Sequence, residues 1–141
     1  MKFFATATTI LAPPEVIWAL LTDAKGFRLW NSTVVRVDGS IALGEKVTVY
    51  AKASPGRAFP LKVSAFTAPK TMVWSGGMPL GLFSGRRTFT LTPSATGQTH
   101  FSMREEFSGL LAPLIKKSIP DLQPSFDRFA ADLKRRSEQV R

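Results

Sequence analysis

The segment 121–140 places Leu122, Phe126, Phe129 and Leu133 at i, i+4, i+7 and i+11, one apolar stripe along a helix. Asp127, Arg128, Lys134, Arg135 and Glu138 fall on the opposite face. At 1.5 Å per residue, about 18 residues reach ~27 Å, enough to cross a small sheet. The preceding stretch, 34–107, has the period of strands instead. A long helix with a single apolar face must bury that face, and the partner on offer is a sheet. The helix is therefore expected on the concave face of a curved antiparallel sheet.

The remaining elements read as follows. Residues 2–11 are β-branched and aromatic, as in a strand. Pro13-Pro14-Glu15 opens a helix, because proline suits a first turn whose amides have no intrahelical partner and Glu15 complements the positive helix end. Val16, Ile17, Leu20 and Leu21 form its apolar stripe, and a short second helix is expected over Phe27–Trp30. Six strands with short connections then imply an antiparallel meander. In the third of them Phe59, Leu61, Val63 and Ala65 share one face. Residues 76–85 read as a long glycine-rich loop, and residues 109–117 as a helix broken near Pro120.

Composition narrows the chemistry. The 141 residues suit one ordinary domain over 1–141. There is no cysteine and only one histidine, His100. Disulfides, thiol nucleophiles and multi-histidine metal sites are excluded, and no metal or cofactor is expected. His100 shares strand parity with Ser102 and Arg104, away from the concave face, so no Ser-His-Asp arrangement is supported. Nineteen Lys and Arg against ten Asp and Glu give a net charge of +9. The charges are scattered, with short clusters at Arg86-Arg87, Lys116-Lys117 and Lys134-Arg135-Arg136. That placement favours a solvated basic surface over an interface for nucleic acid or anionic membrane. No run approaches the ~20 apolar residues that span a bilayer. The opening lysine and apolar residues look faintly like a signal peptide, but Thr6, Thr8 and Thr9 break them, so a cytoplasmic protein is expected, as a monomer or weak homodimer.

The order strand, two short helices, six strands and a long helix resembles the helix-grip fold (class α+β) of the START/Bet v 1-like (SRPBCC) superfamily, in particular its polyketide cyclase/dehydrase and lipid-transport branch. The residues that carry the resemblance are Ala12-Pro13-Pro14-Glu15-Val16-Ile17-Trp18, Leu21-Thr22-Asp23 and Phe27-Arg28-Leu29-Trp30-Asn31. Further on they are Trp74-Ser75-Gly76-Gly77, Gly85-Arg86-Arg87-Thr88-Phe89, Glu105-Glu106-Phe107-Ser108-Gly109-Leu110-Leu111 and the segment 126–134. The resemblance covers essentially the whole chain. It implies a cavity for a hydrophobic or amphipathic small molecule, without fixing one chemistry.

Strand parity and the helical stripe nominate the cavity wall: Phe59, Leu61, Val63, Trp74, Phe89, Phe101, Met103, Leu114, Leu122, Phe126 and Phe129, some of which are expected to be plain core. Met78, Leu80, Leu82 and Phe83 from the glycine-rich segment could line or gate the mouth, and Trp30-Asn31 could close one end. Glu105 shares parity with Phe101, Met103 and Phe107, while Arg87 shares parity with Phe89 and Leu91. A Glu105–Arg87 pair in the cavity could orient a polar ligand group, or Glu105 could act as general acid or base. A strand bulge would instead turn Glu106 inward. Tyr50, on the opposite parity from Val47 and Val49, is a weaker catalytic candidate. The leading expectation is a carrier or sensor of a lipid- or polyketide-like molecule. A cyclase or dehydratase using Glu105 with Arg87 or Tyr50 is the first alternative, and an interaction protein with a basic surface for nucleic acid or anionic membrane is the second.

Overall fold

Alternating apolar and polar residues build seven strands in the computed structural model, which describes residues 2–140. They are β1 (Lys2–Ile10), β2 (Val34–Gly39), β3 (Lys46–Ala51), β4 (Phe59–Thr67), β5 (Thr71–Met78), β6 (Phe83–Ala95) and β7 (Gln98–Ser108). All pairings are antiparallel, and the curled sheet runs β1-β7-β6-β5-β4-β3-β2. Residues 34–108 form a continuous meander, and the first strand closes against the last, with Thr6 opposite Met103. Period two assigns the faces. In β7, Thr99, Phe101, Met103 and Phe107 are buried, while His100 and Arg104 face solvent.

The helices α1 (Pro14–Leu21), α2 (Phe27–Trp30), α3 (Ala112–Ile115) and α4 (Gln123–Val140) surround the inner face of this sheet, with a single 3-10 turn at Lys116–Ser118 between α3 and α4. Proline stands at the start of α1 and Glu15 in its first turn, and Ile17, Trp18 and Leu21 are buried. The 18 residues of α4 bury Phe126, Phe129, Ala130 and Leu133. Phe129 is the hub of an aromatic cluster, with ring centroids 6.1 Å from Phe27, 5.7 Å from Trp30, 6.1 Å from Phe89 and 6.3 Å from Phe101.

The flank of α4 also covers the free edge of the sheet. β1 pairs on one side only, so its other side presents unpaired backbone groups. Gln123 Nε2 donates to the Ala5 carbonyl at 2.8 Å, and Lys134 Nζ donates to the Thr9 carbonyl at 2.9 Å. Thr6 Oγ1 donates to Asp127 Oδ1 at 3.0 Å, and the Leu11 amide donates to Glu138 Oε2 at 2.9 Å.

Three local readings of the sequence need correction. A bulge between Ser64 and Thr67, with Ala65 at φ 48°, flips the parity of β4. Ala65 is therefore exposed, and Phe66 turns inward against Trp18, 5.2 Å between ring centroids. Residues 76–85 are not a long loop, since β5 and β6 continue in register to Met78 opposite Phe83, leaving only 79–82 as the turn. The helix expected over 109–117 shrinks to the four residues of α3, because Gly109, at φ 112°, delays its start and the chain tightens into a 3-10 turn at Lys116–Ser118.

Asp132 is buried on α4 and ties that helix to the connection between α2 and β2. The Ser32 amide and hydroxyl donate to its Oδ2 at 2.8 and 2.7 Å, and Arg135 Nη1 donates to its Oδ1 at 3.3 Å. Hydrogen bonds to a charged group contribute about 1.5–3 kcal/mol each and are not additive. Asp132→Ala is expected to lower the unfolding free energy by about 2 kcal/mol in urea titrations. A change below about 0.5 kcal/mol, the range of ordinary surface substitutions, would show that this tie does not hold the helix.

Candidate functional site

Between the N-terminal half of α4 and the inner face of the sheet lies a hollow of about 440 Å³. Its roof is Ser125, Phe126 and Phe129 of α4, with Ile115, Ser118, Ile119, Pro120 and Leu122 from the segment that precedes it. Its floor is the inner face of β3 to β7, including Val49, Phe59, Leu61, Trp74, Met103 and Phe107. That volume is within the range of sites that accept small organic molecules, about 300–1,000 Å³.

Two cross-strand glycines keep the floor low. Gly76 faces Gly85 in the β5–β6 ladder, and both border the hollow. A Cβ at Gly76 would come within 2.7 Å of the Pro60 carbonyl oxygen, and one at Gly85 within 3.3 Å of the Phe107 ring. No side chain rises from the sheet at this pair.

The hollow has one ion pair. Arg87 and Glu105 are direct cross-strand partners, and Arg87 Nε donates to Glu105 Oε1 at 2.7 Å. Their side chains are 22% and 16% exposed, and both border the hollow. The Arg87 guanidinium also lies over the Phe126 ring, 4.8 Å from its centroid. Among the described residues, nothing is hydrogen-bonded to the two terminal nitrogens of Arg87. The adjacent carboxylate has the opposite orientation: Glu106 accepts from Arg104 Nε at 2.9 Å on the outer face. The β7 ladder is regular against β1 here, so no bulge brings Glu106 inward.

Of the residues nominated from sequence, Phe59, Leu61, Trp74, Met78, Phe83, Met103, Leu122, Phe126 and Phe129 border the hollow, together with Arg87 and Glu105. Val63, Phe89 and Phe101 point inward but are fully buried in the core away from it, and Trp30 is likewise core, edge-on to Phe129. Parity separates inside from outside and cannot separate wall from core. Leu114 is exposed, because α3 is too short to turn it under the sheet. Leu82 belongs to the β5–β6 turn and does not reach the hollow.

Tyr50 lies on the outer face, with Arg36 stacked 3.9 Å from its ring centroid. The hydrogen bond from Arg36 to Asp38 holds that guanidinium above its ordinary value. Sequence reasoning missed Phe107, whose parity was available, and Ile115, Ile119 and Ser125, whose placement depends on how the chain turns between β7 and α4. Among the described residues no group of three or more His, Asp or Glu could hold a metal ion, and no helix is long and apolar enough to cross a membrane.

Solved structures share this architecture. A protein from Mesorhizobium loti superposes with a TM-score of 0.76 at 24% identity, covering 99% of each chain. A START superfamily protein from Mycobacterium smegmatis gives 0.74 at 15% identity, also over 99% of each chain. An aromatase/cyclase from a Streptomyces species gives 0.77 at 11% identity, over 99% of this chain and 96% of that one. At such identities the likeness is one of fold. No curated protein matches the sequence. The family model described as polyketide cyclase / dehydrase and lipid transport matches residues 2–138, and the chain belongs to that family.

Proposed function

We propose that the protein binds an amphipathic small molecule, lipid- or polyketide-like with an anionic head, in the hollow beneath α4, and acts as its carrier or sensor. The observation that carries this reading is an apolar hollow bordered by two arginines, Arg57 over the Phe59 ring at its margin and Arg87 held by Glu105, whose terminal nitrogens have no hydrogen-bond partner among the described residues. Glu105 holds the Arg87 side chain by Nε, and the two terminal nitrogens are the donor pair by which arginine receives a carboxylate or sulfonate. The family description, with its mention of lipid transport, supports the same reading. A guest of about twenty heavy atoms at about 0.3 kcal/mol per atom gives roughly 6 kcal/mol, a dissociation constant of tens of micromolar.

A second reading rests on Glu105, which borders the same hollow. As an acid or base it would support cyclase-type chemistry on a bound guest. Glu105→Gln separates the two readings: a carrier keeps its affinity, whereas an enzyme keeps affinity and loses turnover.

Two fluorescent probes test the anchor. One is 8-anilinonaphthalene-1-sulfonate, and the other is its uncharged counterpart N-phenyl-1-naphthylamine. Both are expected to bind the wild-type protein. Arg87→Gln should weaken the sulfonate about tenfold, the scale of a charge-assisted hydrogen bond, and leave the neutral probe unchanged. The double variant Arg87→Gln/Glu105→Gln removes any repulsion from an unpaired carboxylate. Restored sulfonate binding in that variant would refute the anchor role of Arg87, as would an unaffected Arg87→Gln.

Gly85→Val tests the location. Its side chain would stand where the Cβ position is 3.3 Å from Phe107 and occupy part of the hollow. Both probes should lose affinity together, with the circular dichroism spectrum retained. Undiminished binding of both would place the guest elsewhere.

A further inference from the structure

The β5–β6 hairpin ends in a turn that is poorly suited to its own residue. The Leu82 amide donates to the Pro79 carbonyl at 3.3 Å, with Leu80 at φ 61° and Gly81 at φ 68° between them. Positive φ at both central positions is the type I′ geometry, for which Asn-Gly is the favoured pair. Leucine is strained there, since its Cβ disfavours the left-handed region. It is also 92% exposed, so core packing does not explain its presence.

Leu80 is not isolated. The segment after β7 docks on the same hairpin, with the Leu110 amide donating to the Gly81 carbonyl at 3.1 Å and the Leu111 amide to the Leu82 carbonyl at 2.7 Å. Leu110 is 78% exposed, Leu114 on α3 73% and Met78 48%. Four large aliphatic side chains thus stand in water on two hydrogen-bonded segments at one end of the sheet. Met78 and Ile115 of these segments also border the hollow, so the patch lies beside it. Exposed apolar groups that gather in this way mark an interaction surface.

Charge selects the partner. Residues 76–87 and 109–118 contain Arg86, Arg87, Lys116 and Lys117 and no acidic residue. Arg87 is engaged in the hollow, and the side chain of Lys116 is outside the described atoms. Arg86 and Lys117 are exposed, with no ion pair among the described residues. A second copy of the chain, also at +9, would be repelled. An anionic lipid surface satisfies both parts, because aliphatic tips insert at the acyl boundary while basic side chains meet headgroups. We infer that this end of the molecule, Leu80, Leu110, Leu114 and Met78 with Lys117 and Arg86, docks on anionic membrane surfaces. The inference rests on exposure, turn geometry and charge, and stands whether or not the hollow carries the guest proposed above.

Co-sedimentation of the full chain with vesicles tests it. Binding is expected to vesicles of phosphatidylcholine and phosphatidylglycerol in equal parts, to be weak with phosphatidylcholine alone, and to fall at high salt. Leu80→Asn should keep or raise the thermal midpoint, since asparagine suits the turn, and weaken vesicle binding about tenfold. Lys117→Gln and Arg86→Gln should each weaken it about fivefold, while binding of the naphthalene probes stays unchanged. Should Leu80→Asn misfold, Leu110→Asn/Leu114→Asn removes apolar surface without touching the turn. Equal binding to neutral and anionic vesicles, no binding to either, or indifference to the leucine substitutions in folded protein would overturn the proposal. So would a concentration-dependent dimer of the wild type that Leu80→Asn abolishes, since the patch would then cover a second copy.

Discussion

A single apolar stripe on α4 has to cover the inner face of a seven-stranded sheet, and it is too narrow to do so. The helix also cannot move freely to the middle of the sheet, because its flank is tied to the free edge of β1 through Gln123, Asp127, Lys134 and Glu138. The helix also packs against α1, and Ala130 and Leu133 are buried. Its N-terminal half then stands over β3 to β7 with nothing large enough between them. Phe129 marks the boundary: its ring joins the aromatic cluster, stacked on Phe101 with planes 4° apart, and also borders the hollow. The space beneath α4 thus follows from where the helix is held.

The two Arg–Glu pairs of the β6–β7 region show how strand parity turns one chemistry into two roles. Arg104 and Glu106 face water, with side chains 46% and 41% exposed, where such a pair adds little to stability. Arg87 and Glu105, one residue out of phase, face the hollow. Partial burial does not make that pair a stabilising device, because the cost of removing two charges from water offsets most of their attraction, and apolar residues of similar size would serve the fold as well. What apolar residues would not supply is a fixed donor pair in an apolar chamber. The Phe126 ring beneath the guanidinium and the single bond to Glu105 both limit the orientations of Arg87. The entropy of orienting that group is thereby lost on folding and not again on binding.

Much of the architecture was legible because two periods, 2.0 and 3.6, dominate the chain, and the order of the elements follows from them. The cross-strand pairing of Arg87 with Glu105 came from the same parity. Three features resisted for physical reasons. The bulge at Ala65 exchanges Ala65 for Phe66 on the inner face without any glycine or proline to announce it. Glycine-rich residues 76–85 suggest a loop by composition, yet the ladder holds to Met78 and Phe83. Wall and core residues alternate identically along a strand. Phe89 and Met103, paired across β6 and β7, share a parity, but only Met103 reaches the hollow. Which residue is wall depends on where α4 stands off, a tertiary property absent from any local window.

The β5–β6 hairpin breaks more local rules than any neighbouring element. Two glycines face each other mid-ladder, where β-branched residues would pair better. A leucine occupies a left-handed turn position that asparagine would fill without strain. In a chain whose local preferences otherwise agree with the fold, such conflicts collect where a purpose other than stability sets the residue. The glycines lie where a guest would need floor space, and the leucine lies where the hairpin meets water beside the hollow. The close Pro60 carbonyl requires glycine at 76 whatever the function, but a hairpin optimised for stability alone would carry a side chain at 85 and an Asn-Gly tip, and the hollow would then be shallower and its rim polar. The cost to the ladder is tolerable because β6 is an interior strand, paired at Gly85 with both Gly76 and Phe107, and β5 is held by β4 up to Ser75. An edge strand with the same two glycines would have half the hydrogen bonds to hold it.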